Sequence, residues 1–326
     1  LLIIKYNYII ILGDDMKIKK LLVVLLSVII LTGCSTYELK EDQDGNMVLS
    51  KDTLISDVIN YKEFNGFGKL LFPSAVDNTY TVGDLSYAMR NHSNYKPDKT
   101  LEIINYLKDQ VNSGKQVFYG IYNEEEINGN PELKDVGLIY FRGNEKAPFT
   151  VCMAGGWDYV GSIHDSFPQA LELSKAGYNS FALIYRNDSI KGERDLERAI
   201  NYIVEHQEEL NIDATKYSIW ANGQASNMAN NISMQMVNKP NAIVLGYNNI
   251  TQVTGNEVPT YSIVGTADPI IDYKQMDNRN TRLKLKNIPA EIDMIVGLTH
   301  GFGLGTDTPA DGWINDALAF VLTYQK

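Results

Sequence analysis

The chain has 326 residues, enough for one large α/β domain with an extension. Its apolar share of 44% and charged share of 21% place it among globular proteins. A formal charge of −11 argues against nucleic acid as a partner, because phosphate binding needs clustered Lys and Arg.

Residues 1–33 are read as lying outside the fold. Met16-Lys17-Ile18-Lys19-Lys20 is a basic run, and residues 21–31 are apolar, as in a secretory signal. Residues 1–15 precede Met16 and are read as sequence upstream of the natural start. The run ends in Leu31-Thr32-Gly33-Cys34, which resembles the bacterial lipobox, and the resemblance implies that Cys34 is acylated. The apolar run is short for a membrane span. Residues 34–52 are polar and read as a flexible tether. The expected location is the extracytoplasmic face of a cell membrane, held by lipid. With Cys34 lipidated, Cys152 has no partner for a disulfide. The absence of CxxC and HExxH leaves no metal signal, and no cofactor is expected.

Residues 53–326 are read as one domain. In its N-terminal extension, 53–135, Leu101, Ile104, Leu107 and Val111 recur at helical spacing. Residues 117–122 are a predicted strand, and 124–135, with Asn-Gly-Asn-Pro inside, an expected loop. The core, 136–326, alternates regularly. Strands are predicted over 137–142, 149–153, 178–185, 216–221, 242–246, 260–264 and 291–296. Helices are predicted over 167–175, over the stripe of Leu196, Ala199, Ile200, Ile203 and Val204, after residue 225, and over 311–324. The expected class is α/β, a mainly parallel sheet with helices on both faces.

Chemistry concentrates at the ends of these strands. Ala221-Asn222-Gly223-Gln224-Ala225 turns a buried strand abruptly into a helix. That is the setting of a nucleophile elbow, small-x-nucleophile-x-small, with Gly223 at the nucleophile position. Gly155-Gly156 follows another apolar strand, where paired glycines bring backbone N–H groups close to a substrate oxygen. Asp268 follows a third, where it can orient a histidine or cap a helix, with Asp272 as the fallback acid. His300 stands on a glycine-rich loop after the last strand, the placement of a general base. His92, His164 and His206 are read as structural.

Elbow, acid and histidine occur in the chain order of α/β-hydrolases. The chain resembles that superfamily, specifically the esterase/lipase-like branch that includes acetyl-xylan and feruloyl esterase relatives. The most specific stretches are AGGWDYVGSIHDSFPQALELSKAGYNSFALIYR (residues 154–186) and HGFGLGT (residues 300–306). The resemblance implies an oxyanion hole at Gly155 and Gly156, joined by Gln224, an acid at Asp268 and a base at His300. The family elbow reads much like W-G-G-S-A-G-A-x-M-A. Trp220, Met228 and Ala229 hold that register here, and the Ser column falls on Gly223.

Without the hydroxyl, the usual acyl-enzyme route is closed. Ser218, Ser226 and Cys152 are poorly placed to substitute. Two expectations of different class remain. One is a lipid-anchored surface protein that binds a small ester or acylated glycan without cleaving it. The other is a working hydrolase in which His300 activates water, or in which a substitute nucleophile acts.

Overall fold

The computed structural model describes residue 42 and residues 47–325, apart from 75, 78, 90, 91 and 157. Cys34, the signal-like run and most of the tether lie outside the described residues. The contacts divide the chain into Leu1–Val48 and Leu49–Lys326, and all the elements named here belong to the second unit.

Its strands are β1 (Phe118–Gly120), β2 (Gly137–Phe141), β3 (Pro148–Met153), β4 (Asn179–Ile184), β5 (Asp213–Asn222), β6 (Ala242–Gly246), β7 (Thr260–Gly265) and β8 (Ala290–Ile295). Its helices are α1 (Ile55–Ile59), α2 (Leu85–Ala88), α3 (Pro97–Asn112), α4 (Glu124–Gly129), α5 (Ser166–Lys175), α6 (Ser189–Glu205), α7 (Gln207–Leu210), α8 (Ala225–Gln235), α9 (Tyr273–Leu285) and α10 (Trp313–Tyr324). The strands form one sheet in the order β1-β2-β4-β3-β5-β6-β7-β8. β2 runs antiparallel to both its neighbours, β1 and β4, and every pair from β4 to β8 is parallel. β2 and β3 follow each other in sequence but are not paired, because β4 inserts between them.

The period-2 alternation of β3 and β5 sorts the two faces. Phe149, Val151 and Met153, with Tyr217, Ile219 and Ala221, face the core shared with Leu196, Ala199, Ile200 and Ile203 of α6 and Met228, Ala229 and Ile232 of α8. Phe149 and Tyr217 are partners in register, and their rings stack at 4.8 Å. The opposite residues serve the other face: Trp220 meets Trp313 of α10, and Phe141 meets Phe167 of α5 and Tyr106 of α3.

The short helices α1, α2 and α7 were not predicted, and two further segments depart from the sequence reading. The expected loop 124–135 contains α4 and a 3-10 turn, Pro131–Asp135. Asn123 and Glu126 form a reciprocal capping box that starts α4, and this outweighs the turn signal of Asn-Gly. Helix α9 follows β7 without an apolar stripe in its sequence; only Met276 and Leu283 supply buried apolar contacts, beside a buried Arg279 and Asn280.

Candidate active site

β5 ends at Asn222 and α8 starts at Ala225. Between them Gly223 adopts φ +53°, a left-handed backbone that side-chain-bearing residues enter at a cost. Its N–H donates to Gly246 O on β6 at 3.0 Å, and its carbonyl accepts the Ser226 N–H at 3.1 Å. The small flanks Ala221 and Ala225 are both buried, so the corner packs tightly. A Cβ built on Gly223 would still find its nearest neighbour, Gly155 Cα, at an ordinary 3.5 Å. The space for a side chain is therefore present. Gly155 has no such freedom, since its Cβ would lie 2.7 Å from Asn222 O.

The loop after β7 and the loop after β8 bring Asp268 to His300. Asp268 Oδ2 accepts from His300 Nδ1 at 2.7 Å. Its other oxygen accepts the N–H groups of Ile270 and Ile271, each at 2.8 Å. The Asp268 carboxylate is fully buried, while the His300 side chain keeps 15% exposure. The carboxylate favours the tautomer protonated on Nδ1, and Nε2 has no hydrogen-bond partner among the described residues. Asp272 caps α9, accepting the Lys274 N–H at 3.0 Å, and takes no part in this pair.

Gly155, Gly156, Gly223, Gln224 and His300 line one cavity of about 190 Å³, together with Ile270, Ile271 and the carboxamides of Asn227 and Asn249. One expected donor is directed elsewhere. The Gly155 N–H points at the carboxylate of Asp165, at 3.3 Å from Oδ2, instead of into the cavity. The N–H groups of Gly156 and Gln224 have no partner among the described residues.

Asp165, His92 and Tyr247 also line the cavity; the sequence reading took His92 as structural and did not single out Asp165 or Tyr247. Asp165 occupies the N-cap position of α5, yet its side chain makes no cap bond. It serves as a hub instead, accepting from His92 Nε2 at 3.3 Å, from the Tyr247 hydroxyl at 2.8 Å and from Gly155. Burial pushes its carboxyl up, but His92, His164 and the Tyr247 hydroxyl overcome this and hold it below the usual carboxylate range. His92 Nδ1 is engaged by the Tyr159 hydroxyl at 2.8 Å. Tyr247 sits at φ +33°, rare for an aromatic residue, with its ring edge-on to His300 at 5.0 Å. Burial pushes its hydroxyl up, and Asp165 adds to this. The one cue in the sequence was Asp165 ten residues beyond Gly155, and a plain helix cap accounts for it equally well.

The alternative nucleophiles are occupied or inert. Ser218 is buried and accepts from the Trp220 indole at 2.9 Å. Ser226 is buried and donates to Ala221 O at 3.0 Å. Cys152 is buried, and burial pushes its thiol up to about 12.

No protein-family model and no curated protein matches the sequence. Solved structures match the fold. An acetyl ester-xyloside bifunctional hydrolase from Caldicellulosiruptor lactoaceticus superposes with a TM-score of 0.56 at 17% identity, covering 63% of this chain and 95% of that one. MGS-M1, an α/β hydrolase from a Medee basin deep-sea metagenome library, gives 0.54 at 20%, covering 58% and 93%. The propionate-bound esterase 2 of Thermogutta terrifontis gives 0.53 at 15%, covering 63% and 93%. The strand order and these likenesses establish an α/β-hydrolase fold.

Proposed function

We propose that this chain is a lipid-anchored cell-envelope protein whose hydrolase-fold domain holds a small ester or acylated glycan without cleaving it. The observation that carries the reading is Gly223 at the elbow, beside an acid–imidazole pair that is otherwise assembled. Among the described residues no hydroxyl stands where an acyl group would be transferred, and the nearby Ser and Cys residues are engaged or buried. A cavity of about 190 Å³ suits a short acyl group, with Ile270 and Ile271 as its apolar wall. The anchor rests on the sequence run ending in Cys34.

A second reading has an observation of its own. The cavity of about 190 Å³ that Gly223 and His300 line has room for a water molecule. His300 Nε2 would take a proton from that water as its oxygen attacks the acyl carbon. The ester C–O bond then breaks, and the proton passes to the leaving alcohol.

One experiment separates the two. Turnover of a chromogenic acetyl ester is measured for the native chain, His300→Ala, Gly223→Ser and the double variant. The binding reading expects native and His300→Ala rates at background. It expects a gain of roughly ten-fold or more in Gly223→Ser that vanishes in the double variant, since a serine in a working triad contributes several orders of magnitude. Native turnover that falls ten-fold or more in His300→Ala would establish the water route instead. The anchor is tested separately: Cys34→Ala should release the protein from membranes, and retention after an alkaline wash would exclude lipid as the attachment.

A further inference from the structure

The stretch His92 to Lys96, in the N-terminal extension, touches both halves of the cavity. His92 holds Asp165, and Asp165 takes the Gly155 N–H on the glycine-loop side. The very next residue reaches the other side. Ser93 Oγ donates to the His300 carbonyl at 2.7 Å, and the Ser93 N–H donates to the Gly301 carbonyl at 2.8 Å. Asn94, itself left-handed at φ +61°, donates from Nδ2 to Thr306 O at 3.0 Å. The Tyr95 hydroxyl donates to Val82 O at 2.9 Å and ties the stretch back to the extension. The exposed pair of Lys96 and Asp307, at 3.0 Å, adds little.

The loop held in this way is poorly suited to holding itself. Gly301, Gly303 and Gly305 all follow His300 with positive φ, and glycine loses more chain freedom on ordering than any other residue. Asp268 fixes the His300 ring, but only relative to a backbone that must itself stay in place. Ser93 grips two successive carbonyls, at 300 and 301, and so restrains the peptide that sets the direction of the ring.

We propose that residues 92–96 form a strap that positions His300, with Ser93 as its positioning residue. The extension then completes the site instead of merely adjoining it. This goes beyond the binding reading and holds whether the cavity binds or turns over its ligand.

The test begins with Ser93→Ala in the otherwise native chain. Solvent exchange of the His300 ring N–H facing Asp268 is followed by proton NMR. The Trp220 indole N–H, buried and bonded to Ser218, is the internal reference. The strap predicts that His300 exchange rises about five-fold or more while Trp220 is unchanged, and that Ser93→Thr restores it, in line with the loss of one hydrogen bond. Should Ser93→Ala fail to fold, Asn94→Gly keeps the left-handed backbone, removes the bond to Thr306, and should raise His300 exchange alone. In the Gly223→Ser background, Ser93→Ala should lower kcat about five-fold with KM unchanged. A His300 proton that exchanges at the native rate overturns the strap, as does one that quickens only in step with Trp220. The NMR readout needs no catalysis, so its failure is distinct from failure of the binding reading.

Discussion

Two acid–imidazole pairs face the same cavity, and they are built for opposite ends. Asp268 takes Nδ1 of His300, which leaves Nε2 open to a ligand. Asp165 takes Nε2 of His92, while Nδ1 goes to the Tyr159 hydroxyl, so no ring nitrogen remains. His300 keeps 15% exposure and His92 3%. The same residue types therefore give one pair with a free working atom and one that is closed. Counting histidines and carboxylates near a cavity does not distinguish them; the fate of the second nitrogen does.

The sharpest way to break the comparison is to remove each acid. Asp165→Ala leaves the His92 ring, the Tyr247 hydroxyl and the Gly155 N–H without their acceptor in a buried place. It should cost about 3–5 kcal/mol. Asp268→Ala should cost only about 1–2 kcal/mol, because the His300 side chain keeps some exposure and Ile270 is half exposed. Chemical denaturation of the two variants decides the matter. Equal losses would mean that both pairs are structural, and a larger loss for Asp268 would invert the assignment.

A smaller effect sharpens it through pH. His164 packs edge-on to the His92 ring and bonds the Gly301 carbonyl, at 2.9 Å from its Nε2. Burial, and then the proximity of His92, lower its pKa from 6.5 to about 4. The folded chain thus resists a proton that the unfolded chain accepts. Stability is complete above pH 6.5 and is lost as pH falls from there toward 4, by roughly 2 kcal/mol between pH 7 and 5. The lowered carboxyl of Asp165 acts only at more acidic pH, below its ordinary range near 3.8. His164→Gln keeps a donor for Gly301 and should flatten the slope between pH 7 and 5 in urea titrations. An unchanged slope would place the titrating group elsewhere.

The reach of the sequence follows the range of the forces. Runs of β-formers and the stripe of α6 are local patterns, so the strands, five of the ten helices (α3, α5, α6, α8 and α10) and the elbow corner were legible. Asp268 was legible because its loop directly follows an apolar strand, and His300 because it stands on a glycine-rich loop after the last strand. The closed pair was not. His92, Asp165 and Tyr247 are brought together by bonds spanning 73 and 82 residues, which leave no periodic trace. The strap is hidden for the same reason, since Ser93 reaches His300 across 207 positions. α9 escaped notice because its inner face is partly polar, with Arg279 bonded to Asn230 of α8 at 2.7 Å.

The pairing of Trp220 with Trp313 has an optical consequence. Trp220 lies on the strand that ends in the elbow, and its ring centre is 6.2 Å from that of Trp313 on the closing helix. At that distance an excited indole hands its energy to its neighbour faster than it emits. Their transitions also couple, so part of the near-ultraviolet dichroism reports the registry of β5 with α10 as well as the environment of each ring.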